Sequence, residues 1–161
     1  DGHARVEVEV VRDGAPLTLE VDTQAFDGLG TQQVVGWAGL LLQPTPDAVA
    51  AQRSIPTRGA YASYRFFGSP ASRYDLSPTT HIIEVDAQPT PDLQSFLACT
   101  RHKKDGEVVR IKHVDLEGRV RMTTLKLDLT YWPTYTLERM ADGSWVRRVV
   151  GVDEEPAVAT A

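Results

Sequence analysis

The sequence has one cysteine, no long apolar run and no excess of positive charge, and each scarcity excludes a class of protein. The single cysteine, Cys99, cannot form a disulfide within the chain, so it indicates no redox compartment. No apolar run approaches the roughly 20 residues that a membrane-spanning helix needs. The formal net charge is −5, whereas nucleic-acid binding needs a Lys/Arg surface. We therefore expect a soluble chain with neither a membrane nor a nucleic-acid partner.

What remains is an ordinary globular composition. The chain has 161 residues, of which 42% are hydrophobic and 24% charged. That length allows one domain with appendages or two very small domains, and a single core of this size needs neither metals nor disulfides. We expect no cofactor.

The first 22 residues read as a β-hairpin. Residues 5–12 alternate at period two, which predicts a half-buried strand with Val6, Val8 and Val10 on one face. Asp13-Gly14 is a two-residue turn signal, and residues 17–21 alternate again as the returning strand. Residues 23–33, which contain two glycines and three glutamines, read as a linker.

A longer segment of alternating strands and helices follows. Residues 34–42 predict one mostly apolar strand interrupted by glycines, which often mark the close approach of another backbone or a ligand. Thr45 as N-cap with Pro46 at the first helical position predicts a helix. The remaining predicted elements are a strand at 58–66, a short helix at 70–76, a strand at 80–86, a helix at 92–102 and strands at 107–115 and 119–129.

Two further features complete the chain. The two predicted strands within 107–129 repeat the pattern of residues 5–22, in which an alternating strand, a turn made of a charged residue and glycine, and a second alternating strand follow one another. This repeat favours duplication as the origin of the two segments. Residues 134–140 and 145–150 predict an additional hairpin around Asp142-Gly143, and residues 151–161 read as a flexible acidic tail.

Specific residues in this order resemble PDZ domains of HtrA-type serine proteases. The resemblance rests on four stretches: Gly68-Ser69-Pro70-Ala71 with Asp75-Leu76, residues 82–89, Asp92-Leu93 with Phe96-Leu97, and Gly36-Trp37-Ala38-Gly39-Leu40 at the place of the carboxylate-binding loop. With Leu76-Ser77-Pro78-Thr79 and Pro89-Thr90-Pro91, the chain is similar to the later PDZ region of double-length HtrA/Deg proteases, of the fungal nuclear pro-apoptotic and plant chloroplast types.

This resemblance implies a mainly β fold with two or three helices (α+β), a PDZ-like β-sandwich or partly open barrel with extra N- and C-terminal hairpins. The implied domains are the terminal hairpin of a preceding PDZ-like domain (1–22), a linker (23–33), a PDZ-like domain (34–130), an additional hairpin (131–150) and the tail (151–161). It also implies a nuclear or chloroplast location, a role in protein quality control, and a longer protein that is a trypsin-like serine endopeptidase.

A PDZ domain binds a peptide by adding it to a sheet edge beside a helix. The expected mechanism here uses glycine-permitted backbone N–H groups for the terminal carboxylate, an unpaired strand edge, and an apolar pocket. The residues expected to supply the three parts are Gly36, Trp37, Ala38 and Gly39 for the carboxylate, Leu40, Leu41 and Leu42 for the edge, and Leu93 and Leu97 for the pocket wall.

Two functions follow from the resemblance. The first is a non-catalytic module that binds peptide C-termini or exposed hydrophobic segments, or docks on other domains of its own protease. The second is a degenerate PDZ domain that serves structure or homo-oligomer contacts and has no free-peptide ligand. An open or a filled groove beside residues 37–42 distinguishes them.

Catalysis by this chain is not expected. No Gly-x-Ser-Gly-Gly-like motif is present, and Pro70 removes the N–H after Ser69, so Ser69 is interpreted as a helix N-cap. Cys99 and His102 lie three residues apart on a predicted helix, but two candidate ligands do not make a zinc site. We expect no metal.

Overall fold

The chain forms eleven strands and three helices in the residues that the computed structural model describes, which are 4–23, 28, 30–55 and 59–151. The strands are β1 (Arg5–Arg12), β2 (Ala15–Asp22), β3 (Gln33–Trp37), β4 (Leu40–Gln43), β5 (Ala60–Arg65), β6 (His81–Val85), β7 (Gln88–Pro89), β8 (Val108–Val114), β9 (Val120–Lys126), β10 (Tyr135–Arg139) and β11 (Trp145–Val149). The helices are α1 (Asp47–Arg53), α2 (Pro70–Arg73) and α3 (Leu93–Thr100). The chain divides into two units, Asp1–Gly30 and Thr31–Ala161.

The first unit contains the predicted hairpin. β1 and β2 pair antiparallel, and the turn residues Asp13 and Gly14 have φ of 53° and 79°, as a tight hairpin turn requires. Val6 and Val8 share a face, as predicted, but they are 42% and 38% exposed rather than half-buried. A two-stranded hairpin has no second layer of its own to cover that face.

The second unit is built on one antiparallel sheet. Its strand order is β11-β10-β3-β4-β5-β6-β8-β9, and β7 pairs with β6 beside this path. The predicted C-terminal hairpin, β10–β11, therefore continues the main sheet by pairing with β3. β9 and β11 are the two end strands of the sheet.

The apolar segment 34–42 folds back on itself, so the prediction of one continuous strand is wrong. Ala38 and Gly39 have φ of 50° and 83°, which turns the chain by a two-residue hairpin loop. Val35, Gly36 and Trp37 consequently face Leu42, Leu41 and Leu40 in antiparallel register. The sequence resembles one strand because the residues before and after the turn are all mostly apolar.

The core of the second unit gathers side chains from both arms of this hairpin and from the rest of the sheet. Trp37 is 1% exposed and Phe96 is fully buried, and their rings meet edge to face with centroids 5.3 Å apart. The other fully buried large side chains are Leu40, Leu42, Leu76, Ile82, Ile111, Leu125, Val35, Val85 and Val109. α3 is thereby fixed on the sheet through its Phe96 face.

The helix N-termini follow their capping residues. Ser69 caps α2, as predicted, by accepting a hydrogen bond from the Ser72 N–H at 3.2 Å. Asp92 caps α3 in a reciprocal capping box with Ser95. The predicted cap of α1 is wrong, because Pro46 occupies the N-cap position and the Thr45 hydroxyl instead bonds His81 Nε2 at 2.8 Å.

The described residues confirm the fold class: mainly β, antiparallel, with three helices and an N-terminal hairpin. No helix among them is both long and apolar enough to cross a membrane. The predicted acidic tail, beyond Gly151, and part of the predicted linker lie outside the described residues. So does Arg58, the predicted start of β5.

Truncating Phe96 tests the role of α3 in this core. We expect Phe96→Ala to lower the free energy of unfolding by about 3–5 kcal/mol, because a buried ring is lost against Trp37. Urea titration followed by tryptophan fluorescence measures it, since Trp37, Trp132 and Trp145 all lie in the second unit. Leu116→Ala, at a 58% exposed side chain, is the control and should change stability by less than about 0.5 kcal/mol. An equal loss of unfolding free energy in both variants would contradict the role assigned to Phe96 in the core.

Candidate functional site

The strand edge expected to receive a peptide is paired on both sides. β4 bonds β3 along one edge and β5 along the other, with Leu40 opposite Trp37 and Arg65. The prediction that residues 40–42 form an unpaired edge is therefore wrong. The reason is the turn at Ala38-Gly39, which lays the preceding residues against β4.

The loop expected to hold a carboxylate packs against the start of α2. The carbonyls of Ala38 and Gly39 accept backbone hydrogen bonds from Ala71 and Phe66, at 2.9 and 2.8 Å. A Cβ built on Gly39 would lie 2.0 Å from the Ser69 Cβ, so the Ser69 side chain already fills the space above that glycine. Glycine is required at this position by both its positive φ and this contact.

The predicted pocket wall on α3 faces the core. Leu93 is 3% exposed, and the partly buried Leu97 packs against the core cluster. α3 also reaches β3, where the Gln94 side-chain amide donates to the Gln33 amide oxygen at 3.4 Å. The structure thus brings the nine predicted site residues into one region, but it places β3 and core packing where the groove was expected.

An aromatic cleft lies on the outer side of this region. The cleft is lined by Gly36, Trp37, Gly39, Leu40, Phe66, Tyr131, Trp132, Pro133, Tyr135 and Arg147, and has a volume of about 190 Å³. Four of these residues belong to the predicted site, namely Gly36, Trp37, Gly39 and Leu40. Sequence reasoning missed the others. The three aromatic residues within 131–135 are a signal for that one segment, but nothing in the sequence connects it with Phe66 or Arg147.

The absence of a side chain at Gly36 shapes the floor of the cleft. A Cβ on Gly36 would lie 2.2 Å from two carbons of the Tyr135 ring, so that ring rests directly on the β3 backbone. The Trp132 ring packs against Phe66 with centroids 5.8 Å apart. The Arg147 guanidinium stacks over Tyr135, 4.3 Å from the ring centroid.

A second, polar cleft of about 520 Å³ lies where the β8–β9 turn meets the end of α2. It contains the buried His113, 3% exposed, whose Nε2 shares a hydrogen bond with Thr123 Oγ1 at 2.9 Å. Burial lowers the pKa of His113, and nearby Arg121 lowers it further. Hydrogen bonds from Arg121 and Arg119 hold the pKa of Asp115 far below its usual range.

The polar groups of this cleft and the Ser69 hydroxyl are engaged in structural contacts. Asp115 is committed to the ion pairs with Arg119 and Arg121, at 2.9 and 2.7 Å. Ser69 is occupied by its cap and by donating to the Phe66 carbonyl at 2.7 Å. Within the described ranges, no three His, Cys, Asp or Glu side chains come together as metal ligands would.

Known proteins that are similar to this chain are proteases. Protease Do-like 7 of Arabidopsis thaliana is 42% identical over 130 residues, which are 80% of this chain and 12% of that protein. The pro-apoptotic serine protease NMA111 of Candida glabrata is 33% identical over 156 residues, or 96% of this chain and 16% of that protein. The chain thus spans less than a fifth of the length of these relatives. No protein-family profile matches it.

A solved structure, described as an HtrA-type protease AlgW with decapeptide, shares the fold over part of its length. The two superpose with a TM-score of 0.50 and 21% identity, over 59% of this chain and 29% of that one.

Lowering the pH should destabilise the protein through His113. Because the folded pKa lies below the unfolded value near 6.5, the unfolded state binds more protons as pH falls below about 6.5. The free energy of unfolding should therefore fall from about pH 7.5 to 5.5 more steeply in the wild type than in His113→Gln. Urea unfolding at both pH values measures the difference. His102→Gln, at an exposed residue, should keep the wild-type slope; a wild-type slope in His113→Gln would count against the interpretation.

Proposed function

Because this chain matches a region of HtrA/Deg-type proteases, we propose that it is a non-catalytic, PDZ-like module of such a protease in which β3 occupies the place of a peptide ligand. The module then contributes structure and contacts to its protease and binds no free peptide at β4. This is the second of the two functions expected from the sequence. The protease activity itself would belong to another part of the longer protein.

One observation carries the proposal: β4 has no free edge. A PDZ ligand binds as an added antiparallel strand beside the helix. In this chain β3 runs antiparallel to β4 and touches α3 through Gln33 and Trp37. Displacing β3 would expose Val35 and Trp37, which are 0% and 1% exposed. Burying one such side chain stabilises the protein by about 1.5–3 kcal/mol. A peptide that displaced β3 would therefore have to offset this lost burial before it could bind with any net affinity.

Peptide binding at β4 is the competing function, and one observation favours it. The HtrA-type protease structure with a similar fold was solved with a decapeptide. A peptide could take the β3 position here only after β3 leaves both β4 and β10, since β3 bonds to both strands. The geometry therefore supports the occluded form.

A peptide titration distinguishes the two functions. We expect no saturable binding of peptides with hydrophobic C-terminal residues up to about 1 mM, measured by calorimetry and by the amide resonances of Leu40, Leu41 and Leu42. The same peptides with C-terminal amides are the control for carboxylate capture. Binding of the free-carboxylate peptides alone, with shifts centred on β4, would overturn the proposal.

We further infer that β1–β2 is the closing hairpin of a preceding domain of similar build. The two hairpins share a pattern, Leu-x-Val/Leu-Asp, at residues 19–22 and 125–128. In β8–β9 the apolar face, which includes Val109, Ile111 and Leu125, is fully buried. In β1–β2 the cross-strand pairs Val6–Val21 and Val8–Leu19 form a similar face that is more than a third exposed. A domain core contributed by earlier residues of the longer protein would cover it.

Amide exchange tests this inference. In the present chain the β1–β2 amides should exchange much faster than those of β8–β9, because isolated two-stranded hairpins are marginally stable. Extending the chain N-terminally by one domain length, about 100 residues, should slow exchange in β1–β2 and leave β8–β9 unchanged. Equally fast exchange with and without the extension would refute the assignment, whatever the peptide titration shows.

A further inference from the structure

The aromatic cleft has the composition of a binding surface rather than of a core. Tyr131 is 79% exposed and Phe66 is 36% exposed, although both rings line the same concave site. Phe66 links Trp132 to a further exposed ring, Tyr64, at a centroid distance of 5.1 Å. The protein therefore presents exposed aromatic surface from Tyr64, Phe66 and Tyr131 in and beside the cleft.

The cleft also presents unused hydrogen-bond donors. Among the residues that the structure describes, none bonds the Trp132 indole N–H or the Tyr131 and Tyr135 hydroxyls. An aromatic-lined groove with such donors suits a polyproline II segment, whose backbone carbonyls have no internal partners.

One positive charge marks the rim. Arg147 stacks on Tyr135, and no carboxylate in the described part of the chain pairs with it. Its neighbour on β11, Arg148, is different, because it is paired with Glu138. Stacking holds the Arg147 guanidinium in place while its N–H donors remain available for a bidentate contact with a carboxylate.

We propose that this cleft binds an extended protein segment in which proline residues alternate with acidic residues. Prolines pack on the Phe66, Trp132 and Tyr131 rings, and a carboxylate pairs with Arg147. A nucleic-acid strand would offer bases for stacking, but it needs a positively charged groove, and here only one cationic side chain lines the cleft. Leu40 of β4 lines the cleft, but the rings and the guanidinium that carry this proposal lie outside β4. The proposal therefore needs no free β4 edge and is independent of the function proposed above.

The test uses three synthetic peptides and the full chain. The probe is acetyl-Ala-Pro-Glu-Pro-Glu-Pro-Ala-amide; one comparison peptide has lysine for glutamate and the other has alanine for the prolines. We expect the probe to bind with a Kd below about 1 mM and the lysine peptide about tenfold more weakly, because repulsion replaces attraction at Arg147. The indole N–H resonance of Trp132 should shift and that of Trp145, which is not in the cleft, should not.

Substitutions locate the interaction. Tyr131→Ala should weaken probe binding about 2- to 10-fold, the usual worth of an aromatic contact. Arg147→Gln should weaken it by a similar factor and should remove its dependence on salt. The matched controls are Phe67→Ala, a 95% exposed aromatic residue outside the cleft, and Arg148→Gln, which removes the same charge one residue away. Both controls should bind as the wild type does.

The chain's own Asp-Glu-Glu-Pro sequence at 153–156 has the same chemistry, so a chain ending at Gly151 is tested in parallel. Binding of the probe to the shortened chain alone would support the recognition chemistry and identify the chain's own segment as the competitor. Equal binding of all three peptides, wild-type affinity in Tyr131→Ala and Arg147→Gln, or no binding by either chain would overturn the proposal.

Discussion

The second unit depends on the two-residue turn at Ala38-Gly39. This turn reverses an apolar segment so that β3 hydrogen-bonds to β4, and it fits only because Ser69 packs on a glycine that has no Cβ. The same serine caps α2. One contact between a glycine and a serine therefore fixes a hairpin and a helix N-terminus at once, and it explains why both residue types are needed in this part of the chain.

The reversal has opposite effects on the two edges of the hairpin. It pairs the β4 edge with β3, so a free peptide would have to compete with a segment of the same chain that is present at high effective concentration. It also presents β3 to β10, and the resulting closeness of Gly36 and Tyr135 creates the floor of the aromatic cleft. The pairing of both β4 edges and the formation of the aromatic cleft thus have a common structural cause.

Local signals in the sequence predicted local structure well. Three features were predicted in this way: the Asp13-Gly14 turn, the Ser69 cap and the start of α3 at Asp92. Each is formed by residues within a few positions of one another, so one short stretch of sequence contains all the groups that form it. The pairing of β3 with β4 was missed, because an Ala-Gly turn inside an apolar run lacks the polar residues that usually mark a hairpin. The resemblance to HtrA/Deg-type proteases was confirmed, but a family pattern does not state which strand edges are free. The cleft could not be predicted, because it joins Phe66, Trp132 and Arg147 from distant segments.

The ends of the main sheet have a consequence for how copies of the protein meet. β9 carries Arg121 and Lys126, and β11 carries Arg147 and Arg148. Parallel, in-register pairing of either end strand with its counterpart in a second copy would place these cations opposite one another, which is unfavourable across a strand pair. Cationic side chains on both end strands are one of the devices by which a sheet disfavours edge-to-edge growth.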